Sequence, residues 1–395
     1  MEPSVVGLFV VAGLASLFMA WVIGAGSSGA TPFAPAVGAN AISTMRAAFI
    51  VGIFGFAGAV VQGANVSEAV GRGLVGGVGL PATGVIVVLA IGATLMAVGI
   101  RTGYPIATAF TVTGAVVGVG LALGGTPVWS KYQQIGAVWV LTPFVGGGLA
   151  YAIASVLPRG DVSERYSVAA LAGLVGAVLA VVDFAYLGPG GTAGSLAGVV
   201  QRAVGVEGVA VPVVVSLAVA TAVAALVSWD VHRDLTGGLR RVLLALGSLV
   251  AFSAGGSQVG LAVGPLLPLL DSLDMIPVLA VLVGGGFGIL VGSWTGAPRM
   301  IKSLAQDYSS LGPRRSIAAL VPAFLIAQLA VLLGVPVSFN EIVVSAIIGS
   351  GAAVGGADAI DLRKIGLTVG AWAGSLVLAL ALGYGVTILL PFVAV

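Results

Sequence analysis

Three polar side chains, Ser253, Ser257 and Gln258, stand among glycines in the otherwise apolar stretch Ala251 to Leu266, AFSAGGSQVGLAVGPL. Lipid offers such groups no hydrogen-bond partner, and each glycine weakens a helix by about 1 kcal/mol relative to alanine. The pattern predicts a helix that breaks at membrane depth between Ser253 and Gly260 around a polar ligand, then resumes toward Gly264 and Pro265. A second polar patch, Ser27, Ser28 and Thr31, interrupts the apolar run Gly24–Gly38. Thr108 stands near the start of a third short piece, Pro105–Leu123, and Ser338, Asn340 and Glu341 near the start of a fourth, Pro336–Val354. Short apolar segments interrupted by glycine and proline are the sequence mark of a binding site built from broken membrane helices.

The elements that must position these residues are set by composition. The chain has 395 residues, 59% of them apolar and 8% charged, with 62 glycines and a mean hydropathy of +1.17. No water-soluble domain could hide that much apolar surface, which predicts an all-α polytopic membrane protein in the cell membrane. Apolar runs long enough to cross a bilayer lie near 4–23, 45–64, 81–100, 134–157, 167–187, 208–228, 240–256, 276–295, 316–333 and 365–394, the last long enough to be kinked or doubled. The opening MEPSVVGLFVV lacks the basic start of a signal peptide, and Gly7 to Ile23 reads as the first span. Trp229 to Arg241, with three arginines, is the most basic loop; the positive-inside rule makes it cytoplasmic and puts both termini outside. Trp21, Trp129, Trp139, Trp294 and Trp372 read as interface anchors. A net charge of +2 gives no footing for nucleic acid. Zero cysteines and a single histidine, His232, leave no thiolate chemistry and no histidine metal cluster.

The chain also repeats itself. Gly103 opens GYPIATAFTVTGAVVGVG and Gly334 opens the similar GVPVSFNEIVVSAIIGSG, 231 residues later; Gly24 and Gly255 open the two polar patches at that same offset. Two anchors agreeing on one offset indicate duplication. An odd number of spans per copy makes the copies inverted, with four broken or re-entrant segments around one midplane site. The expected division is a first repeat over 1–158, linking spans over 159–235 and a second repeat over 236–395.

These motifs resemble those of the inorganic phosphate transporter (PiT) family. FSAGGSQVGLAVGPL is similar to its second signature, AHGSNDVANAIGPL, and IGAGSSGATPFAPAVG to its first, IGANDVANSFGTAVG. GYPIATAFTVTGAVVG and GVPVSFNEIVVSAIIG both resemble its GLPVSTTHAIVGAIVG, and GANVSEAV from Gly63 resembles GAKVSETI. The resemblance runs from about residue 15 to the end of the chain. It implies an inverted-repeat transporter, homodimeric, moving phosphate with Na⁺ or H⁺ as coupling ion and no other cofactor.

The departures carry information. The family's Asn-Asp pair is replaced by Ser257-Gln258 in one repeat and by Gly26-Ser27 or Ser27-Ser28 in the other. Its Ser-Thr-Thr-His becomes Ala107-Thr108-Ala109-Phe110 and Ser338-Phe339-Asn340-Glu341, and the glutamate of its FEFxGA becomes Gly55. Phosphate retains a P–OH that needs an acceptor, whereas sulfate only accepts. A P–OH left unpaired costs about 1–3 kcal/mol. A cradle of neutral donors, Ser27, Ser28, Thr31, Thr108, Ser257, Gln258, Ser338 and Asn340, therefore tilts selection toward sulfate. In its second signature the chain resembles the family's sulfate permeases.

With the motif aspartates gone, the carboxylates left for coupling are Glu341, Glu68 and Asp183. Glu341 falls where the family has histidine and is the preferred proton carrier, since an intramembrane acid is a functional candidate by default. Arg72, four residues beyond Glu68, offers that residue a surface pair instead. Gln62 suits helix–helix hydrogen bonding as well as ligand contact. A passive anion channel is the alternative function. An enzyme is not expected, because only isolated carboxylates are present and no acid–base pair or nucleophile accompanies them.

Overall fold

The computed structural model describes residues 3–157, 163–189, 192–270, 277–355 and 361–390. The first part of the chain forms α1 (Pro3–Gly26), α2 (Ala34–Gly38), α3 (Thr44–Gln62), α4 (Ala64–Arg72), α5 (Ala82–Thr102), α6 (Thr108–Ala122) and α7 (Trp129–Val156). Next come α8 (Glu164–Val181), α9 (Leu196–Val204) and α10 (Ala210–Arg233). The last part forms α11 (Leu235–Val263), a 3₁₀ turn at Gly264–Leu266, α12 (Leu267–Leu270), α13 (Val278–Thr295), α14 (Ala297–Gln306), α15 (Pro313–Leu333), α16 (Phe339–Gly355) and α17 (Leu362–Leu389). Ten helices among the described residues are long and apolar enough to cross a membrane, and α6 and α16 are shorter apolar helices. Over its described residues the last apolar run is a single unbroken helix, α17.

The elements recur at the offset seen in the sequence. α5 and α15 lie 231 residues apart at both ends, as do the first residues of α6 and α16. The local cause is the same in both copies. Gly103 and Gly334 close α5 and α15 in the left-handed region, at φ +77° and +56°. Pro105 and Pro336 follow, disfavouring helix at the residue before them. The chain therefore runs unwound for a few residues before Thr108 or Phe339 starts the next helix. The copies pack by exchange: α6 lies on α17 and α16 on α7, while α1 lies on α13 and α11 on α3.

α1 and α11 run in opposite senses. Ser16 Oγ donates to Ala262 O (2.9 Å) and Ser27 Oγ to Gln258 Oε1 (3.2 Å), so advancing along α1 means retreating along α11. A two-residue ladder, β1 (Val75–Gly76) against β2 (Thr126–Pro127), brings the end of α6 back to the face where α5 begins. Residues 103–122 thus cross the protein, unwound over 103–107 and helical from Thr108 onward, instead of turning back on themselves.

The expected break between Ser253 and Gly260 is absent, because α11 is helical through to Val263 and yields only at Gly264–Leu266. Its glycines serve contact. A Cβ on Gly255 would stand 1.8 Å from Gly55 O, and one on Gly260 would stand 2.6 Å from Ser67 N. Small residues let membrane helices approach backbone to backbone. In the first copy the break is real: α1 stops at Gly26, and the chain turns through 27–33 before α2.

Gly255→Ala should therefore force α11 and α3 apart, costing about 1–3 kcal/mol, as overpacking does. The readout is the thermal midpoint of purified protein. Gly370→Ala is the control, since a Cβ there meets nothing within 4 Å; equal midpoints for the two variants would refute the contact role.

Candidate functional site

The buried polar groups collect where the two unwound segments meet α1 and α11. Ser27, Ser28, Thr31, Thr108, Ser257, Gln258, Ser338 and Asn340 are all fully buried, and Glu341 is 2% exposed. Ser27 and Gln258 stand 231 residues apart and bond each other. Gln258 Nε2 goes on to donate to Val337 O, the carbonyl just ahead of Ser338. Asn340 Nδ2 donates to the equivalent carbonyl, Ile106 O (2.7 Å), and to Gly26 O (3.2 Å).

The predicted donors thus divide into two groups. Ser28 Oγ donates to Ile23 O (3.4 Å) and Thr31 Oγ1 to Ser27 O (3.2 Å), so these hydroxyls stabilise the turn after α1. Ser27 and Gln258 form the inter-repeat bridge. Thr108 Oγ1, Ser257 Oγ, Ser338 Oγ, Asn340 Oδ1 and Glu341 Oε2, by contrast, are buried with no protein partner. Such atoms are rare in folded proteins, and each calls for a ligand or a functional reason. Backbone groups add to them. The first helical bonds of α6 and α16 are Thr111 N to Ala107 O and Ile342 N to Ser338 O, so the N–H groups of 108–110 and 339–341 have no partner inside their own helices. Two half-helices thus start within the protein, each with the positive end of its dipole beside an unpartnered hydroxyl.

Glu68 does not join this cluster. It pairs with Arg72 on the surface, its side chain 57% exposed. Glu68→Gln should therefore leave anion uptake within about two-fold of wild type, as expected for an exposed pair; loss of gradient-driven uptake in vesicles would return Glu68 to the site. Asp183 is exposed, and what it gives the interior is its backbone carbonyl, which accepts from Gln62 Nε2 (2.9 Å).

Sequence reasoning passed over Gln328. This residue is 3% exposed on α15, exchanges amide hydrogen bonds with Gln62 and donates to Ser253 Oγ (2.6 Å). The signal available was a lone carboxamide in an apolar span. With Gln62 it lines a cavity of about 450 Å³ walled by Val60, Val181, Leu282 and Leu329.

Two of the expected interface anchors also prove to be internal. Trp139 and Trp372 are 8% and 5% exposed, and their indole N–H groups donate to Pro336 O and Pro105 O, both at 2.8 Å. A tryptophan on a long apolar helix reads the same in sequence whether it meets headgroups or a neighbouring chain segment. Trp129, 67% exposed, fits the anchor reading.

Ten apolar helices of spanning length among the described residues, enclosing a cluster of buried polar groups, define a multi-pass membrane protein. The sequence profile of the phosphate transporter family matches residues 23–383, and the chain belongs to that family, a family of transporters and not of enzymes. It is 28% identical over 365 residues to a protein of Pyrococcus abyssi named as a phosphate permease, covering 88% of this chain and 89% of that one. A protein of the same description from Chlamydia muridarum is 28% identical over 413 residues, covering 92% and 94%. Among solved structures the fold is similar to one described as "The sodium-dependent phosphate transporter", with a TM-score of 0.78, 24% identity and 98% and 99% of the two chains covered.

Proposed function

We propose that this protein is a secondary active transporter of inorganic phosphate that binds its substrate where the N-termini of α6 and α16 meet α11. The observation that carries this reading is the set of buried, unpartnered hydroxyls of Thr108, Ser257 and Ser338, drawn from broken or apposed segments of both repeats. Donors at two half-helix N-termini suit an oxyanion. Asn340 Oδ1 and Glu341 Oε2, also unpartnered, are acceptors in the first turn of α16 and suit the P–OH that sulfate lacks. Relatives named as phosphate permeases point the same way.

Sulfate is the second reading, favoured by the missing motif aspartates. Gln258, which stands in place of one of them, has its amide engaged by Ser27 and Val337, which weakens the inference that this position reads the anion. Transport is coupled through Glu341, the one buried carboxylate among the described residues, with protons as the driving ion. Sodium is the alternative, because the structural neighbour is a sodium-dependent transporter. A passive channel is the remaining alternative. The repeats are inverted about an axis in the membrane plane, each contributing five crossings, one of them opening on a short unwound stretch; the opposed senses of α1 and α11 support this arrangement. Residues 1–158 and 236–395 form the repeats and 159–235 link them; the boundary at 158/159 lies outside the described residues. The assembly is a homodimer, as the family resemblance implies.

Uptake of labelled phosphate and sulfate into proteoliposomes, each with and without a pH or Na⁺ gradient, tests the reading. Phosphate accumulation driven by a pH gradient is the expected result; equal uptake without any gradient would favour the channel, and a preference for sulfate would restore the second reading. Ser257→Ala should raise the phosphate KM by about ten-fold, the loss of one hydrogen bond to a charged partner. An unchanged KM removes Ser257 from the site.

A further inference from the structure

We infer that Trp139 and Trp372 are positioning residues, each holding the anion-binding hydroxyl of the opposite repeat in place through a proline carbonyl. The proposal rests on the anion site described above and assigns a role to two residues outside it. The two tryptophans are counterparts: α7 and α17 start 233 residues apart, at Trp129 and Leu362, and Trp139 and Trp372 are separated by the same interval. Their targets, Pro336 and Pro105, are counterparts as well. Each bond crosses from one repeat to the other, so the unwound strand of each copy is fastened by the helix of its twin.

The unwound strands need such fastening. Residues 104–107 and 335–338 lie outside any helix, and in a membrane interior every backbone carbonyl must find a donor within the protein. Gln258 and Asn340 satisfy Val337 O and Ile106 O, and the indoles satisfy the carbonyls of the prolines one residue earlier. An indole N–H can only donate, and the ring has two side-chain torsions to fix, so the contact is directional and stiff. Phe110 stacks on Trp139 with centroids 3.9 Å apart, which restrains that ring further. Ser338 follows Pro336 by two residues and Thr108 follows Pro105 by three. Freeing either carbonyl therefore lets the strand carrying that hydroxyl drift from its place at the helix N-terminus.

The test uses the full chain in proteoliposomes and reads KM for labelled phosphate, a quantity independent of how much protein folds. Trp139→Phe keeps an aromatic ring but removes the indole N–H with the pyrrole half; the expected result is a rise in KM of about ten-fold, with Vmax per folded molecule little changed. The assignment is read from combined variants. Trp139→Phe should add little to Ser338→Ala but its full factor to Thr108→Ala, and Trp372→Phe should do the reverse, because coupling is confined to residues that act together. Should Trp139→Phe fail to fold, the Trp372 set decides the question alone.

A purely structural role would lower the yield or thermal midpoint and leave KM at its wild-type value, which overturns the proposal. Factors that multiply independently in every pair overturn it too. If Ser338→Ala and Thr108→Ala themselves leave KM unchanged, the anion site is misplaced and the positioning role falls with it. If those two shift KM and the tryptophan variants do not, the site stands and only the positioning role is lost.

Discussion

Glu341→Gln should bring the phosphate accumulation ratio under a pH gradient, without membrane potential, to about one while exchange of phosphate across the membrane continues; carboxylates in membrane spans mark proton relays. Glutamine keeps the size and the hydrogen-bonding carbonyl of the native side chain but cannot gain or lose a proton. Among the described residues Glu341 is the one buried carboxylate, its Oε2 has no partner, and it sits in the first turn of α16 beside Asn340 and Ser338. A proton taken up there changes the charge directly beside the proposed anion site. Separating accumulation from exchange matters, since a misfolded variant loses both. Normal accumulation by the variant would show that another group, or sodium, carries the coupling.

Gln258→Glu should reduce uptake at neutral pH by roughly a hundred-fold or more, the scale of an uncompensated buried charge. The native amide donates to Val337 O and accepts from Ser27 Oγ, joining the two repeats where they meet. An ionised carboxylate can still accept from Ser27, but it faces the Val337 carbonyl with no proton to offer. Protonation restores a donor, so uptake should recover as the pH falls. Gln258→Leu gives the comparison, because it removes the bridge and has no proton to regain at any pH. Full activity of Gln258→Glu at neutral pH would mean that the bridge does not hold the repeats in their transporting arrangement. A selective gain for phosphate over sulfate would instead return Gln258 to the anion's contact surface.

What the sequence determined by itself followed from local stereochemistry and composition. Mean hydropathy of +1.17 over 395 residues requires a bilayer, and ten helices among the described residues have spanning length and character. Gly103 with Pro105 and Gly334 with Pro336 end one helix and delay the next, because a left-handed glycine followed by a residue without an N–H leaves the chain no other course. The spacing of 231 residues between the two passages is what pointed to a duplication, and α5 with α15 and the starts of α6 and α16 keep that spacing. Thr108, Ser338 and Asn340, at the starts of short helices, and Ser257, among the glycines of α11, were legible as site candidates, since polar side chains in apolar membrane segments are functional candidates.

The tertiary structure decided the rest. Gly255 and Gly260 lower helix propensity whether they open a break or admit a neighbour; only the positions of Gly55 O and Ser67 N show that they admit one. Ser27 and Gln258 look like two anion donors until the fold brings them within 3.2 Å of each other. Trp139 and Trp372 look like anchors until Pro336 O and Pro105 O come within reach of their indoles. In each case the residue type fixes what the group can donate, accept or exclude. Its partner lies about two hundred or more residues away, and only the closed fold supplies it.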